Sequence, residues 1–163
     1  MQKLKELNEL IQLRKEFKKQ GKKVVFTNGC FDLLHLGHIR LFKIAKNLGD
    51  VLIVGINSDS SIKKIKGPLR PIFPIEERVE ILETIEFIDY LTIFEEETPQ
   101  KLISSLLPDI LVKGGDWKPN QVVGKKEVEQ AGGKVEIIPY FSEYSSSKII
   151  EKIKLRFIIE KNQ

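Results

Sequence analysis

Apolar residues alternate along this chain between short unbroken runs and longer stretches spaced three or four residues apart, and the two rhythms predict strands and amphipathic helices in turn. Leu4, Leu7, Leu10, Ile11 and Phe17 fall on one side of a helix over residues 3–20, with Lys and Glu elsewhere. Such a helix packs either on a sheet or on another subunit. After Gly21, Lys23 to Thr27 reads as the first strand, Asn28-Gly29 as a turn, and Ile39 to Leu48 as a helix stopped by Gly49. Asp50 to Ile56 is apolar almost throughout, as in a strand of a parallel sheet covered on both faces.

The rhythm continues to the end of the chain. Residues 57–67 offer Ser and Asp to cap a short helix, and three prolines within 68–74 break regular structure. A helix is predicted over Ile75 to Ile85, a strand over Phe87 to Ile93, and a helix over Thr98 to Leu107 with Pro99 in its first turn. A fourth strand from Asp109 ends in Lys113 and two glycines, a helix runs through Glu127 and Ala131, and Lys134 to Pro139 is the fifth strand. The last helix, 145–159, opens on three serines and gathers Ile149, Ile150, Ile153 and Phe157 on one face. Strands alternating with helices, without internal repeats, predict one doubly wound α/β domain with a predominantly parallel five-stranded sheet and right-handed crossovers. Residues 1–21 are its N-terminal helix, 22–153 its core and 154–163 the end of its last helix.

Composition narrows the class. At 163 residues one domain with a proper core is expected, and 41% hydrophobic against 31% charged residues sets disorder aside. The net charge of +4 is spread over helix faces that also carry Glu, so no nucleic-acid partner is expected. The N-terminal stretch has no unbroken apolar segment, and no membrane partner is expected. A single cysteine, Cys30, excludes an intrachain disulfide and any cysteine-based metal cluster, so a reducing, cytoplasmic setting is the expectation.

The candidate chemistry lies in Val24 to Arg40, VVFTNGCFDLLHLGHIR. Both histidines of the chain, His35 and His38, fall in one H-x-G-H unit at a predicted helix start, where unpartnered backbone N–H groups attract phosphate. Imidazoles there can donate to phosphoryl oxygens, and Gly37 between them leaves room for a ligand or backbone to approach. The reading is a nucleotide triphosphate cradle at the topological switch point of the sheet. Cys30 has no sequence-local base to activate it and reads as a backbone or packing residue. Lys63, Lys64, Lys66 and Arg70 follow a strand's carboxyl end, as a solvated loop or as phosphate contacts. Lys113, Gly114, Gly115, Asp116 and Trp117 are either a plain turn or a place where backbone, carboxylate and ring meet a ligand. Ser145, Ser146 and Ser147 either cap the last helix or also bind an anion.

Taken together, TNGCFDLLHLGH (27–38), IKGPLRPIFPIEER (65–78), FEEETPQKLI (94–103), LPDILVKGGDWKP (107–119) and YSSSKIIEKI (144–153) are similar to the H-x-G-H nucleotidyltransferases. Within these, the chain resembles the adenylyltransferase half of the bifunctional heptose kinase/adenylyltransferases of lipopolysaccharide core synthesis. The resemblance implies a Rossmann-like fold and a reaction of ATP with D-glycero-β-D-manno-heptose 1-phosphate to give ADP-heptose and pyrophosphate. It implies catalytic roles for His35, His38 and Lys66, and nucleotide contacts from Cys30, Phe31, Gly37, Gly114, Asp116, Trp117 and Ser145 to Ser147. Sugar-phosphate contacts are implied for Asp32, Lys64, Arg70, Arg78 and Lys113. Mg²⁺ is expected with ATP, no protein-held metal is expected, and a homodimer is a candidate assembly.

The chain departs from the related pattern Gly-x-Ser-Thr-Thr at Glu143 to Ser147, and it has Tyr140 and Phe141 where cytidylyltransferases carry Arg-Thr. The second departure favours the heptose branch over a glycerol-phosphate cytidylyltransferase. From a different class, a nucleotide-binding regulatory subunit without turnover is the competing reading.

Overall fold

The computed structural model describes residues 2–115, 118, 121–139 and 144–158. Five parallel strands, β1 (Val24–Gly29), β2 (Val51–Asn57), β3 (Tyr90–Phe94), β4 (Ile110–Gly114) and β5 (Lys134–Ile138), stand in the order β3-β2-β1-β4-β5. Successive side chains of a strand point to opposite faces, so the continuous apolar runs supply two cores rather than one. Val24, Phe26, Val51, Ile53 and Leu111 face α1 (Leu7–Lys19), α5 (Gln100–Leu106) and α6 (Lys125–Gln130), whose Leu10, Phe17, Leu102, Ile103 and Val128 are buried there. Val25, Leu52, Val54, Ile56 and Val112 face α2 (Leu36–Lys46) and α4 (Ile75–Glu83), where Phe42, Ala45 and Leu82 are fully buried. Each fully buried Leu, Ile, Val or Phe contributes about 1.5–3 kcal/mol. The fold is thus the doubly wound α/β sheet expected, and β1 lies at the switch point, with β2 and β4 on either side.

Where element boundaries differ from the sequence pattern, backbone hydrogen bonding is the cause. The first helix starts at Leu7 rather than at residue 3, because the edge strand β3 claims the residues before it. Leu91 N–H donates to the Lys3 carbonyl and Lys5 N–H to the Leu91 carbonyl, both at 2.9 Å, which satisfies an edge that would otherwise stay open. Helix α1 packs on the sheet, and Arg14 fastens it by donating to the Leu107 carbonyl and to Asp109 Oδ1 at 2.8 Å. Asn28-Gly29 is not the turn expected. It extends β1, paired with Gly55 and Ile56 of β2, and the left-handed backbone comes two residues later at Phe31, whose φ is +46°. The short helix expected within 57–67 forms as α3 (Asp59–Lys66), capped by Ser58 Oγ and ended by Gly67 at φ +93°, so Lys63, Lys64 and Lys66 stand in its last turn rather than in the loop that follows. The last helix is α7 (Ser146–Ile158).

The amino edge of the sheet is closed by aspartates. Asp50 accepts from Lys23 N–H, Asp89 from Leu52 N–H and Asp109 from Val24 N–H, each at 2.7 Å. The opposite, carboxyl edge is open.

Candidate active site

A cavity of about 630 Å³ runs along that carboxyl edge, within the size range of small-molecule sites. Every strand end contributes to its wall: Asn57 of β2, Asn28 and Gly29 of β1, Lys113 and Gly114 of β4, Ile138 of β5, and Glu97 to Pro99 after β3. Cys30, Phe31, His35, Gly37, His38, Lys66, Gly115 and the serines 145–147 complete it, so most of the residues singled out from the sequence meet in one place.

His35 is the N-cap residue of α2 and His38 lies in its first turn. Their rings stack, with centroids 3.7 Å apart and planes inclined by 21°. Phe31 meets His38 edge-on at 5.2 Å and leans on Phe42 at 5.0 Å, so the strained residue after β1 buttresses the second imidazole. Gly37 lines the cavity, and its missing side chain also serves packing. A Cβ there would lie 3.0 Å from His35 Nδ1 and 3.3 Å from Tyr144 Cβ, so the missing side chain makes room for the His35 ring and for the segment leading into α7. Gly29 does the same for Phe31, whose ring a Cβ would meet at 3.0 Å.

The electrostatics follow from this crowding. Burial pushes the His38 pKa down to about 3, assisted by the neighbouring His35 and by Lys66. Burial and then Lys66 lower that of His35. Both imidazoles are therefore neutral near pH 7, each with one N–H to donate and one nitrogen to accept. The Nδ1 atoms of both are buried without a partner. Burial also lowers the Lys113 ammonium to about 8, and Lys113 Nζ donates to Asn28 Oδ1 across the switch point. The result is a cluster of donors with unspent capacity and excess positive potential, which suits a polyanion.

Other expected contacts are engaged within the chain. Arg78, 1% exposed, donates to the carbonyls of Phe73, Cys30 and Asn57 and to Asp59 Oδ1 at 2.6 Å. Asp32, 2% exposed, accepts from Arg70 Nε and from the N–H groups of Ile72 and Phe73. Burial alone would raise its carboxyl, but the Phe73 and Ile72 N–H groups and Arg70 hold it below the usual range. Asp32, Arg70 and Arg78 are held by these bonds behind the residues that line the cavity, and Lys64 is exposed outside the lining. Cys30 Sγ lies 3.9 Å from Asn57 Oδ1, while its carbonyl is held by Arg78, in keeping with a packing role. Ser145 Oγ caps α7 by accepting from Lys148 N–H, Ser146 Oγ donates to the Leu33 carbonyl, and Ser147 is exposed.

Asp116 and Trp117, like Tyr140, Phe141 and Glu143, lie outside the described residues. Sequence reasoning passed over Asn28, Asn57, Glu97 and Thr98. The rule that ligands sit beyond strand carboxyl ends, applied to β2 and β3 as it was to β1 and β4, would have found them. Among the described residues, no group of three His, Cys, Asp or Glu side chains could hold a metal ion, and no helix is long and apolar enough to cross a membrane.

A parallel α/β sheet with a donor-rich cavity at its switch point is the arrangement in which open α/β proteins hold ligands beyond their central strands. Comparison with known proteins gives the family: residues 26–152 match the cytidylyltransferase-like family, and the chain belongs to it. It is 51% identical over 141 residues to the "Bifunctional protein HldE" of Trichlorobacter lovleyi, covering 86% of this chain and 29% of that protein. With the protein of the same name from Geotalea uraniireducens it shares 47% identity over 158 residues, 97% of this chain and 32% of the other. The chain thus spans about a third of the length of these curated relatives.

Among solved structures, the lipopolysaccharide core biosynthesis protein of Thermoplasma volcanium is 31% identical with a TM-score of 0.60, covering 74% of this chain and 97% of that one. A pantoate-β-alanine ligase from Francisella tularensis, at 19% identity and a TM-score of 0.59 over 85% of this chain and 67% of that one, shares the fold.

Proposed function

We propose that this chain is a nucleotidyltransferase that moves AMP from ATP to D-glycero-β-D-manno-heptose 1-phosphate, giving ADP-heptose and pyrophosphate for lipopolysaccharide core synthesis. The observation that carries the reading is the stacked, neutral pair His35 and His38 at the start of α2, with Lys66 and Lys113 lining the same cavity. An oxygen of the sugar phosphate attacks the α-phosphorus of ATP in line. One P–O bond forms there as the bond to the β-phosphate bridge breaks, and the electron pair leaves with pyrophosphate. No covalent enzyme intermediate is needed, so Cys30 has no nucleophilic task.

The chain's own residues act by placement and by meeting charge. The imidazole N–H groups and the N-terminal amides of α2 hydrogen-bond the phosphate chain best when negative charge has moved onto the leaving group, which lowers the barrier rather than merely tightening binding. Lys66 and Lys113 offset the repulsion between two anions brought into one cavity. Mg²⁺ enters as part of the Mg–ATP substrate. The N-terminus of α7, with Ser145 to Ser147, and the Gly114-Gly115 backbone offer polar groups for the nucleotide, joined in the sequence by Asp116 and Trp117. A cytoplasmic setting is part of the same proposal, since ATP is the donor in it.

The family name favours one second reading, transfer of CMP to a glycerol phosphate. Turnover of ATP, CTP, GTP and UTP with heptose 1-phosphate and with glycerol 3-phosphate separates the two. ATP is expected to exceed CTP by at least about tenfold in kcat/KM, because a pocket shaped for one base leaves polar groups unpaired with the other. CTP winning with either acceptor overturns the heptose assignment, and absence of pyrophosphate release with every pair overturns the enzyme reading in favour of a regulatory nucleotide-binding domain.

A further inference from the structure

The connection between β3 and α5 carries three consecutive carboxylates, Glu95, Glu96 and Glu97. They are not equivalent. Glu96 lies 3.6 Å from Lys101, and its carbonyl accepts a 2.7 Å hydrogen bond from Ser61 Oγ. The carbonyl of Phe94 accepts from Ser58 N–H at 2.9 Å. Those two bonds pin the connection to the start of α3, and buried Pro99 closes it at the N-cap of α5. Of the three glutamates only Glu97 lines the cavity, together with Thr98.

Its sign is the anomaly. The histidines, Lys66 and Lys113 suit phosphate, whereas a carboxylate repels it, and among the described residues Glu97 has neither an ion pair nor a hydrogen bond to neutralise it. A carboxylate in such a cavity suits a neutral donor, and hydroxyl groups are the donors that distinguish a sugar from its phosphate. The topology supplies the spacing. Strand β3 stands two places from β1, roughly 10 Å away at the usual strand separation, and on the side opposite β4 and β5. A phosphate ester held near β1 therefore has room to extend its carbon chain toward Glu97 while the nucleotide lies on the other side.

We propose that Glu97, aided by Thr98, is the acceptor-specificity residue of this site, accepting hydrogen bonds from vicinal hydroxyls of a polyhydroxylated phosphate ester. The assignment rests on the reading of the chain as a sugar-phosphate nucleotidyltransferase. Wild type, Glu97→Ala and Glu97→Gln are to be compared on heptose 1-phosphate and on ethyl phosphate, which keeps the phosphate and lacks the hydroxyls. If ethyl phosphate is not turned over, its inhibition constant against the sugar phosphate gives the same comparison.

Wild-type failure with every sugar 1-phosphate sinks the functional reading itself, whatever Glu97 does. Given wild-type turnover, Glu97→Ala should raise the KM for the sugar phosphate about 10- to 100-fold, the loss of a charge-assisted hydrogen-bond pair. It should leave the KM for ATP and the ethyl phosphate constant within about twofold, with Glu97→Gln recovering part of the loss through its remaining acceptor oxygen. An unchanged sugar-phosphate KM overturns the proposal. So does an equal effect on both acceptors, or a raised KM for Mg–ATP with altered Mg²⁺ dependence, which would make Glu97 a contact of the metal–nucleotide complex. Glu97 is exposed at the rim, so the variants retain the fold.

Discussion

The two edges of the sheet are built from similar residues and end in opposite states. At the amino edge, Asp50, Asp89 and Asp109 each accept a backbone N–H at or just before the start of a strand, and Asp109 also holds Arg14. At the carboxyl edge, His35 and His38 bury Nδ1 atoms with no partner, and Lys113 is buried against an amide rather than a carboxylate. An arginine with five N–H groups can leave one unmet, as Arg14 Nη1 is, with little consequence. A neutral imidazole has only two polar positions, so an orphaned one leaves half its capacity open. Carboxylates bonded within the chain close the amino edge, and the unpartnered imidazoles line the cavity at the carboxyl edge. Arg78 sharpens the contrast because it stands at the carboxyl edge yet behaves like the amino-edge groups.

The largest expected effect therefore falls on Arg78. Replacing it by Ala removes one partner of a buried network and strands three carbonyls and Asp59, so unfolding free energy should drop by about 3–5 kcal/mol. A urea midpoint close to wild type would make Arg78 a ligand-facing residue after all.

His35→Ala and His38→Ala should do the reverse, lowering kcat by roughly 10²–10³-fold with little change in ATP affinity or in stability. Unchanged turnover in both would remove the histidines from the chemistry. Asp109→Ala should return to the architectural pattern, losing about 2 kcal/mol of stability through the freed Val24 N–H and Arg14, with kcat unaffected.

The smallest effect is a slope. Folding keeps His38 neutral down to about pH 3, while the unfolded chain protonates it below about 6.5, so between those values the unfolded state binds more protons. Stability is thus full above pH 6.5 and falls with acidification, by about 1 kcal/mol per pH unit, with His35 contributing in the same direction. Urea midpoints at about pH 7.5 and about pH 5 should show it, and His38→Gln should flatten it; an equal slope in that variant would assign the acid sensitivity elsewhere.

Much of this was legible in one dimension. Periodicity alone separates strand from helix, because burial on both sheet faces demands continuous apolar runs and burial on one helix face demands spaced ones. The H-x-G-H unit was legible as two imidazoles at a helix start, and they stand at the N-cap and in the first turn of α2. Glycine positions were legible as necessary, though not what they make room for: only the folded chain places the His35 ring over Gly37 and the Phe31 ring under Gly29.

What the tertiary structure alone decided is how each polar group spends its hydrogen bonds. Arg70, Arg78 and Asp32 have the same composition and spacing credentials as Lys66 and Lys113, but partners 38 or 48 residues away in the chain hold the first set outside the cavity lining, whereas Lys66 and Lys113 line it, Lys113 bonded to the Asn28 amide. Edge pairing did the same to the N-terminus, drawing residues 3–5 into β3 and out of a helix that their sequence favours. Local pattern fixes which conformations are accessible; the satisfaction of buried donors and acceptors, a property of neighbours brought together by folding, selects among them and leaves open the few that await a substrate.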